Sequence, residues 1–276
     1  MIEIQRREIH RRKKRNRGAE KMNEEVMKKI TLASERTPSV CAHRGFSAKF
    51  PENSLEAFRA AVAEGADEIE LDVRLTADDV MIISHDDKLE RISDAEPGHF
   101  VKDSSFEYLR SLNIGVKQGT VARFCTPEEA FAEVGGKVIL NIHLKEAGPD
   151  GCIVRRLVEL AERMGIIDSI YFAGSPRELA AMREYAPQIP RTAIQLKRDT
   201  MEICEMVRTY DCARVQLWAG LYTADTIKTL QKMGTHINLY HAETAEEIRA
   251  AVDSGVETVL TNNTDIAVEV LGKRLF

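Results

Sequence analysis

Residues 68–85 read EIELDVRLTADDVMIISH, and the architecture turns on them. In the first eight, Ile69, Leu71, Val73 and Leu75 alternate with Glu68, Glu70, Asp72 and Arg74. A period of two is the pattern of a strand, with aliphatic side chains on one face and charged ones on the other. The next β-rich run, Val80–His85, begins after Leu75-Thr76-Ala77-Asp78-Asp79. That connection is far too short for a parallel crossover, so the run is expected to fold back antiparallel on residues 69–75. A turn centred on Ala77 and Asp78 pairs residues whose numbers sum to about 155, which sets His85 opposite Glu70.

Outward from this hairpin, β-rich runs alternate with amphipathic ones. Strands are expected at Ser39–His43, Glu68–Arg74, Val80–His85, Val138–Lys145, Ser169–Ala173, Pro190–Gln195, Arg214–Leu217, His236–Tyr240 and Glu257–Thr261. Helical patterns occupy Ser54–Glu64, Pro127–Val134, Ile153–Met164, Pro176–Tyr185, Thr200–Tyr210, Ala224–Met233 and Thr244–Ser254. Ser54, Thr126 before Pro127, and Thr244 with Glu247 are capping signals. Nine strands are one more than a barrel needs, and the hairpin arm is the surplus. What remains is the element list of a (β/α)8 TIM barrel, an α/β fold, with an antiparallel arm at about 80–85 and a short insertion after it. The organisation expected is a basic extension over residues 1–36, flexible or helical, and one barrel domain over 37–276.

The 276 residues are 43% apolar and 30% charged, ordinary for a globular chain. No run of 18 apolar residues exists, so no transmembrane segment is expected. No apolar stretch follows the N-terminal charges, so neither is a secretory signal. Five scattered cysteines form no Cys-x-x-Cys pair, and reduced thiols in a cytoplasmic protein are expected. Residues 1–21 hold nine Lys/Arg against three Glu, and the chain's net −5 then leaves −11 on the rest. A self-repelling basic tail of this kind suits RNA or anionic lipid. The acidic body disfavours a polyanion near it, so no nucleic-acid partner is expected. The oligomeric state is not legible.

The charged face of residues 68–74 points into a barrel, where an unpartnered charge costs several kcal/mol. It therefore implies a solvated mouth or a bound cation, and Glu70 and Asp72 are spaced to offer oxygens to one divalent ion. His43-Arg44-Gly45 and His85-Asp86 each end a strand, where barrel sites gather their groups. Two imidazoles near neutrality can take and give a proton, and Arg44 has a planar fork for phosphate. In Val138–Lys145 the same alternation puts Asn141, His143 and Lys145 on one face. Lys145 adds charge for an anionic substrate, and His143 is a possible metal ligand that favours Zn or Mn over Mg or Ca. Trp218 and Tyr222 are candidates for the wall of a cleft.

Together, His43-Arg44-Gly45, Pro51-Glu52-Asn53-Ser54 with Ala57-Phe58, Glu70-Leu71-Asp72-Val73 with Thr76, and His85-Asp86 with Leu89 and Arg91 resemble the glycerophosphodiester phosphodiesterase family, in the phospholipase-C-like barrel group. The likeness is family-like in order and spacing through about residue 145 and weaker beyond. It implies metal-dependent hydrolysis of a small-molecule glycerophosphodiester to sn-glycerol 3-phosphate and an alcohol. It further implies one divalent cation, Mg or Ca, on Glu70 and Asp72, His43 and His85 as the acid–base pair, and Arg44 and Lys145 on the phosphate. His43 is taken as acid and His85 as base. The family's insertion maps to residues 86–124, with Leu109–Leu112 in its helix. Four departures stand out. His143 replaces a ligand Glu, Ala173-Gly174 replaces Ser-Phe, Tyr240-His241-Ala242-Glu243 replaces Trp-Thr-Val-Asn, and Thr261-Asn262-Asn263-Thr264 replaces Thr-Asp-x-Pro. They keep open an alternative, a barrel of altered specificity or one that binds phosphodiesters or phospholipid headgroups without turnover.

Overall fold

The computed structural model describes residues 38–272, so the basic extension expected at residues 1–36 lies outside the described residues. Among the described residues, nine strands form one sheet: β1 (Ser39–His43), β2 (Glu68–Leu75), β3 (Met81–Ile83), β4 (Ile139–Leu144), β5 (Ile170–Gly174), β6 (Arg191–Ile194), β7 (Arg214–Trp218), β8 (His236–Tyr240) and β9 (Thr258–Thr261). Their order is β1-β9-β8-β7-β6-β5-β4-β2-β3, and the additional β1–β2 pairing closes the ring. Every pairing is parallel except β2–β3. The protein is thus a parallel (β/α)8 barrel with β3 as an antiparallel arm.

The arm's register departs from the expected one. Val73 pairs with Ile83, Arg74 with Ile82 and Leu75 with Met81, so partners sum to 156, and the ladder ends before His85. The turn is the cause. Thr76 and Val80 close it through a 3.0 Å hydrogen bond, leaving three residues at the tip, with Asp79 in the left-handed region at φ 61°. A three-residue loop of this kind shifts the pairing by one residue relative to a two-residue turn.

The helices are α1 (Leu55–Glu64), α2 (Phe106–Ser111), α3 (Pro127–Val134), α4 (Cys152–Arg163), α5 (Pro176–Tyr185), α6 (Thr200–Tyr210), α7 (Ala224–Lys232), α8 (Ala245–Asp253) and α9 (Thr264–Val270), of which α2 belongs to the insertion and the others surround the barrel. Ser54, Thr126 and Thr244 cap α1, α3 and α8 as their sequence positions predict, the last two with full capping boxes. The terminal α9 is absent from the helical patterns read in the sequence; Asn263 precedes it without a side-chain cap. Ile69, Leu71 and Val73 point out of the barrel, fully buried in the core it shares with the helices. Each such aliphatic side chain stabilises the fold by about 1.5–3 kcal/mol. The insertion has a small core of its own, in which Leu89, Val101, Leu109, Leu112, Ile114 and Phe124 pack on Ile82 of β3. Among the described residues, no helix is long and apolar enough to cross a membrane.

Candidate active site

The parallel register lines up the inward face. His43 pairs with Glu70, Glu70 with Asn141, and Asp72 with His143. Four of the residues singled out in the sequence are therefore neighbours through backbone pairing alone, on strands β1, β2 and β4. The loop after β1 delivers Arg44. Gly45 adopts φ +78°, and a Cβ there would lie 2.7 Å from the Ala57 carbonyl carbon. Only glycine lets this loop rest against α1. Arg44 and Asn53 also sit in the left-handed region, at φ 58° and 57°, tied by a 2.9 Å hydrogen bond from Asn53 N to Arg44 O. Asn tolerates that conformation through its short polar side chain. Here the side chain donates to Asp72 Oδ2 at 2.8 Å and accepts from Asp72 N at 3.3 Å.

Glu70 and Asp72 are almost wholly buried, at 2% and 0% exposure. His143 Nδ1 lies 3.5 Å from Glu70 Oε1 and 3.2 Å from Asp72 Oδ1. Lys145 Nζ lies 2.8 Å from Asp72 Oδ1 and 3.0 Å from His143 Nδ1, and Arg44 Nε is 3.5 Å from Asp72 Oδ2. Burial pushes the Asp72 carboxyl up, but Lys145, His143 and Arg44 outweigh it and hold it well below the usual carboxylate range. Burial and Lys145 push His143 down, and its contacts with Asp72 and Glu70 reverse the shift to a net rise. Ligand atoms of Glu70, Asp72 and His143 all lie within 4.8 Å of one another. Asp72 Oδ1 is buried and faces both the Lys145 ammonium and the His143 imidazole. Two carboxylates and an imidazole converging in this way are a donor set that fits a divalent cation.

The two candidate acid–base groups are held differently. His43 is 6% exposed, and its Nδ1 meets Asn262 Oδ1 at 2.8 Å while its Nε2 lies 4.0 Å from Glu70 Oε2. Burial lowers its pKa against the opposing pull of Glu70. His85 lies beyond the arm, near enough to Asp72, Lys145 and Arg44 for their charges to bear on its titration, and burial lowers its pKa too. Its Nδ1 meets Asp86 Oδ1 at 2.6 Å, and Arg74 holds its carbonyl at 2.8 and 3.0 Å. Burial alone would raise the Asp86 carboxyl, but hydrogen bonds from Arg91 and His85 bring it down to about 2. Arg91 joins this side to the other: it bonds Asp86 and, at 2.7 and 2.9 Å, Glu52, which also holds Arg44 at 2.9 Å.

Sequence reading missed some of these roles. Glu52, Asp86 and Arg91 lay within recognised motifs, yet nothing local shows that one guanidinium bridges the two carboxylates. Glu243 and Asn262 stood out only as departures. In the structure they touch, Asn262 Nδ2 donating to Glu243 Oε1 at 2.7 Å, so the acid and amide of the family pattern have exchanged places. Of the two proposed cleft aromatics, Trp218 is 40% exposed and meets Tyr240 edge-on at 4.7 Å; Tyr240 in turn lies 4.5 Å from the His43 ring. Tyr222 packs on the main core instead.

Known proteins are similar to this chain in sequence and in fold. A "Glycerophosphodiester phosphodiesterase" of Caldanaerobacter subterraneus subsp. tengcongensis is 26% identical over 243 residues, covering 85% of this chain and 98% of the relative. One from Bacillus subtilis is 23% identical over 259 residues, 85% of this chain and 86% of its own. Among solved structures, an Oleispira antarctica phosphodiesterase in complex with the product sn-glycerol-3-phosphate superposes with a TM-score of 0.78 at 22% identity, over 87% of this chain and 99% of that one. At that identity the likeness speaks for the fold. The sequence model of the Glycerophosphoryl diester phosphodiesterase family matches residues 43–266, from the first histidine of the site to α9, and the chain belongs to that family.

Proposed function

We propose that this protein hydrolyses a glycerophosphodiester to sn-glycerol 3-phosphate and an alcohol, with His43 and His85 moving the protons and Arg44 and Lys145 holding the phosphate. The observation that carries the reading is the meeting of Glu70, Asp72, His143, Lys145 and His43 at one end of the barrel. Family membership and the names of the relatives support the substrate class. Arg44 and Lys145 bring two positive charges into a buried site, where preorganised donors stabilise developing phosphoryl charge far better than water does. One histidine accepts the proton of the attacking hydroxyl or water, and the other protonates the departing alkoxide. A divalent cation held by Glu70, Asp72 and His143 supplies Lewis-acid neutralisation of phosphoryl charge when bound. The imidazole favours Mn or Zn beside the Mg or Ca expected of the family. Five free cysteines accord with a cytoplasmic setting.

One observation favours a second reading. His143 brings no negative charge where a carboxylate is expected, and Lys145 already sits on Asp72, which weakens the pull on a cation. A barrel that binds phosphodiester headgroups without turnover would look similar. The deciding experiment offers glycerophosphocholine and glycerophosphoethanolamine to purified protein with Mg, Ca, Mn or Zn and follows release of sn-glycerol 3-phosphate. Metal-dependent, saturable release is the expected result. Saturable binding with no release under any metal would replace hydrolysis with the binding reading.

A further inference from the structure

Glu243 leaves the segment after β8 and is surrounded by donors from the end of β9. It accepts from Asn262 N at 3.1 and 3.2 Å, Asn262 Nδ2 at 2.7 Å, Asn263 N at 3.3 Å, Asn263 Nδ2 at 2.9 Å and Thr261 Oγ1 at 3.0 Å. His241 Nδ1 stands 3.5 Å from its Oε1. A carboxylate so placed works as an acceptor, and it dictates which way the Asn262 amide faces. The NH2 group must turn toward Glu243, because the amide oxygen there would oppose a carboxylate oxygen at 2.7 Å. Asn262 Oδ1 then faces His43 Nδ1 at 2.8 Å, with the Ser47 hydroxyl also 2.8 Å from it. An amide oxygen has no proton to give, so the imidazole nitrogen must carry one.

We infer that Glu243 and Asn262 are positioning residues that fix His43 as the Nδ1–H tautomer. The neutral ring then has its lone pair at Nε2, the nitrogen on the Glu70 side. The inference rests on the reading of His43 as an acid–base group. It also turns His43 round from the acid expected in the sequence to a proton acceptor in its neutral form. The chain folds this way because β8 and β9 are parallel neighbours whose ends open on the same mouth, so an acid after one and an amide after the other meet beside β1.

The first test needs no substrate. Long-range proton–nitrogen spectra of protein labelled with 15N-histidine, recorded well above the ordinary imidazole pKa, should show a protonated Nδ1 and an unprotonated Nε2 for His43, assigned with His43→Gln. In Asn262→Ala the tautomer should become mixed or reverse, and kcat should fall about 10- to 100-fold with KM nearly constant, as losses of a supporting hydrogen bond do. Asn262→Asp alone sets two carboxylates against each other and should lose kcat similarly. Glu243→Gln combined with Asn262→Asp keeps one acid and one amide in the opposite order, and should recover both kcat and the tautomer. A resting His43 protonated at Nε2, or an Asn262→Ala protein with unchanged tautomer and kcat, would overturn the inference. If the wild-type protein releases no product at all, the hydrolytic reading fails, while the spectra still decide the tautomer.

Discussion

Glu68 and Glu70 leave the same face of β2, one pleat apart, and meet different surroundings. At the floor of the barrel, Glu68 has a donor for each oxygen: Arg214 Nη2 on Oε1 at 3.1 Å and the Tyr171 hydroxyl on Oε2 at 2.6 Å. Arg214 is itself fully buried, lies 4.3 Å from the centre of the Tyr171 ring, and reaches Asn238 Oδ1 and Thr258 Oγ1. At the mouth, Glu70 has one hydrogen bond from the Arg44 backbone at 3.1 Å, and its remaining contacts are with the imidazoles of His43 and His143. Asp72, one pleat further on, shares one buried oxygen between the Lys145 ammonium at 2.8 Å and the His143 imidazole at 3.2 Å. A buried carboxylate whose oxygens are all matched is part of the frame. Two that converge with an imidazole and an ammonium on one point at the mouth form a site rather than a frame.

The largest effect should come from the mouth. Removing either His43 or His85 as Ala should cost about 10²- to 10⁴-fold in kcat while the melting temperature stays close to wild type. Near-wild-type turnover in both would erase the functional half of the contrast. The floor should answer in the other currency. Arg214→Met leaves Glu68 buried and unpaired and should cost about 3–5 kcal/mol in denaturant titration. Pairing it with Glu68→Leu should return much of that loss, because well-packed apolar groups replace buried ion pairs at little cost. A double variant as unstable as the single one would show that the floor pair does more than neutralise itself.

Cation binding gives a smaller and more specific signal. At a concentration 100-fold above Kd, Mn or Zn should stabilise the protein by about 2.7 kcal/mol, seen as a rise in melting temperature that EDTA reverses. Glu70→Gln should abolish that rise while changing the metal-free stability by only about 1 kcal/mol. A rise that survives in Glu70→Gln would move the cation elsewhere.

A more gradual effect concerns acid. Burial, with Arg214 nearby, lowers the pKa of His236 from 6.5 to about 2. Below pH 6.5 the unfolded chain takes up a proton that the folded one refuses, so stability is lost as pH falls through that window. The slope contributed should approach about 1.4 kcal/mol per pH unit. Urea midpoints of wild type and His236→Gln should therefore lie nearest each other at about pH 7 and separate toward about pH 4, the wild type losing stability faster. Parallel curves would remove His236 from the floor's acid sensitivity.

Much of this was legible in advance because the informative signals are local. Alternation assigned Glu70 and Asp72 to the inner face, and strand-end positions marked His43 and His85. A five-residue connection excluded a crossover and so exposed β3 as the surplus strand. The register of that arm was not legible, since it depends on Asp79 taking a left-handed conformation that the sequence does not announce. Nor was the bridge made by Arg91, whose two carboxylate partners are 39 and 5 residues away.

The sequence by itself determined which side chains face inward, because a strand's period of two is set by its own backbone. It also determined the charge set at the mouth: two carboxylates, two cations and three imidazoles. Only the closed barrel decided how those groups are supported. His43 finds Asn262 across 219 residues and Arg214 finds Glu68 across 146. Such partners are chosen by ring closure and strand order, which bring distant ends to one rim, and no local pattern in the chain encodes that distance.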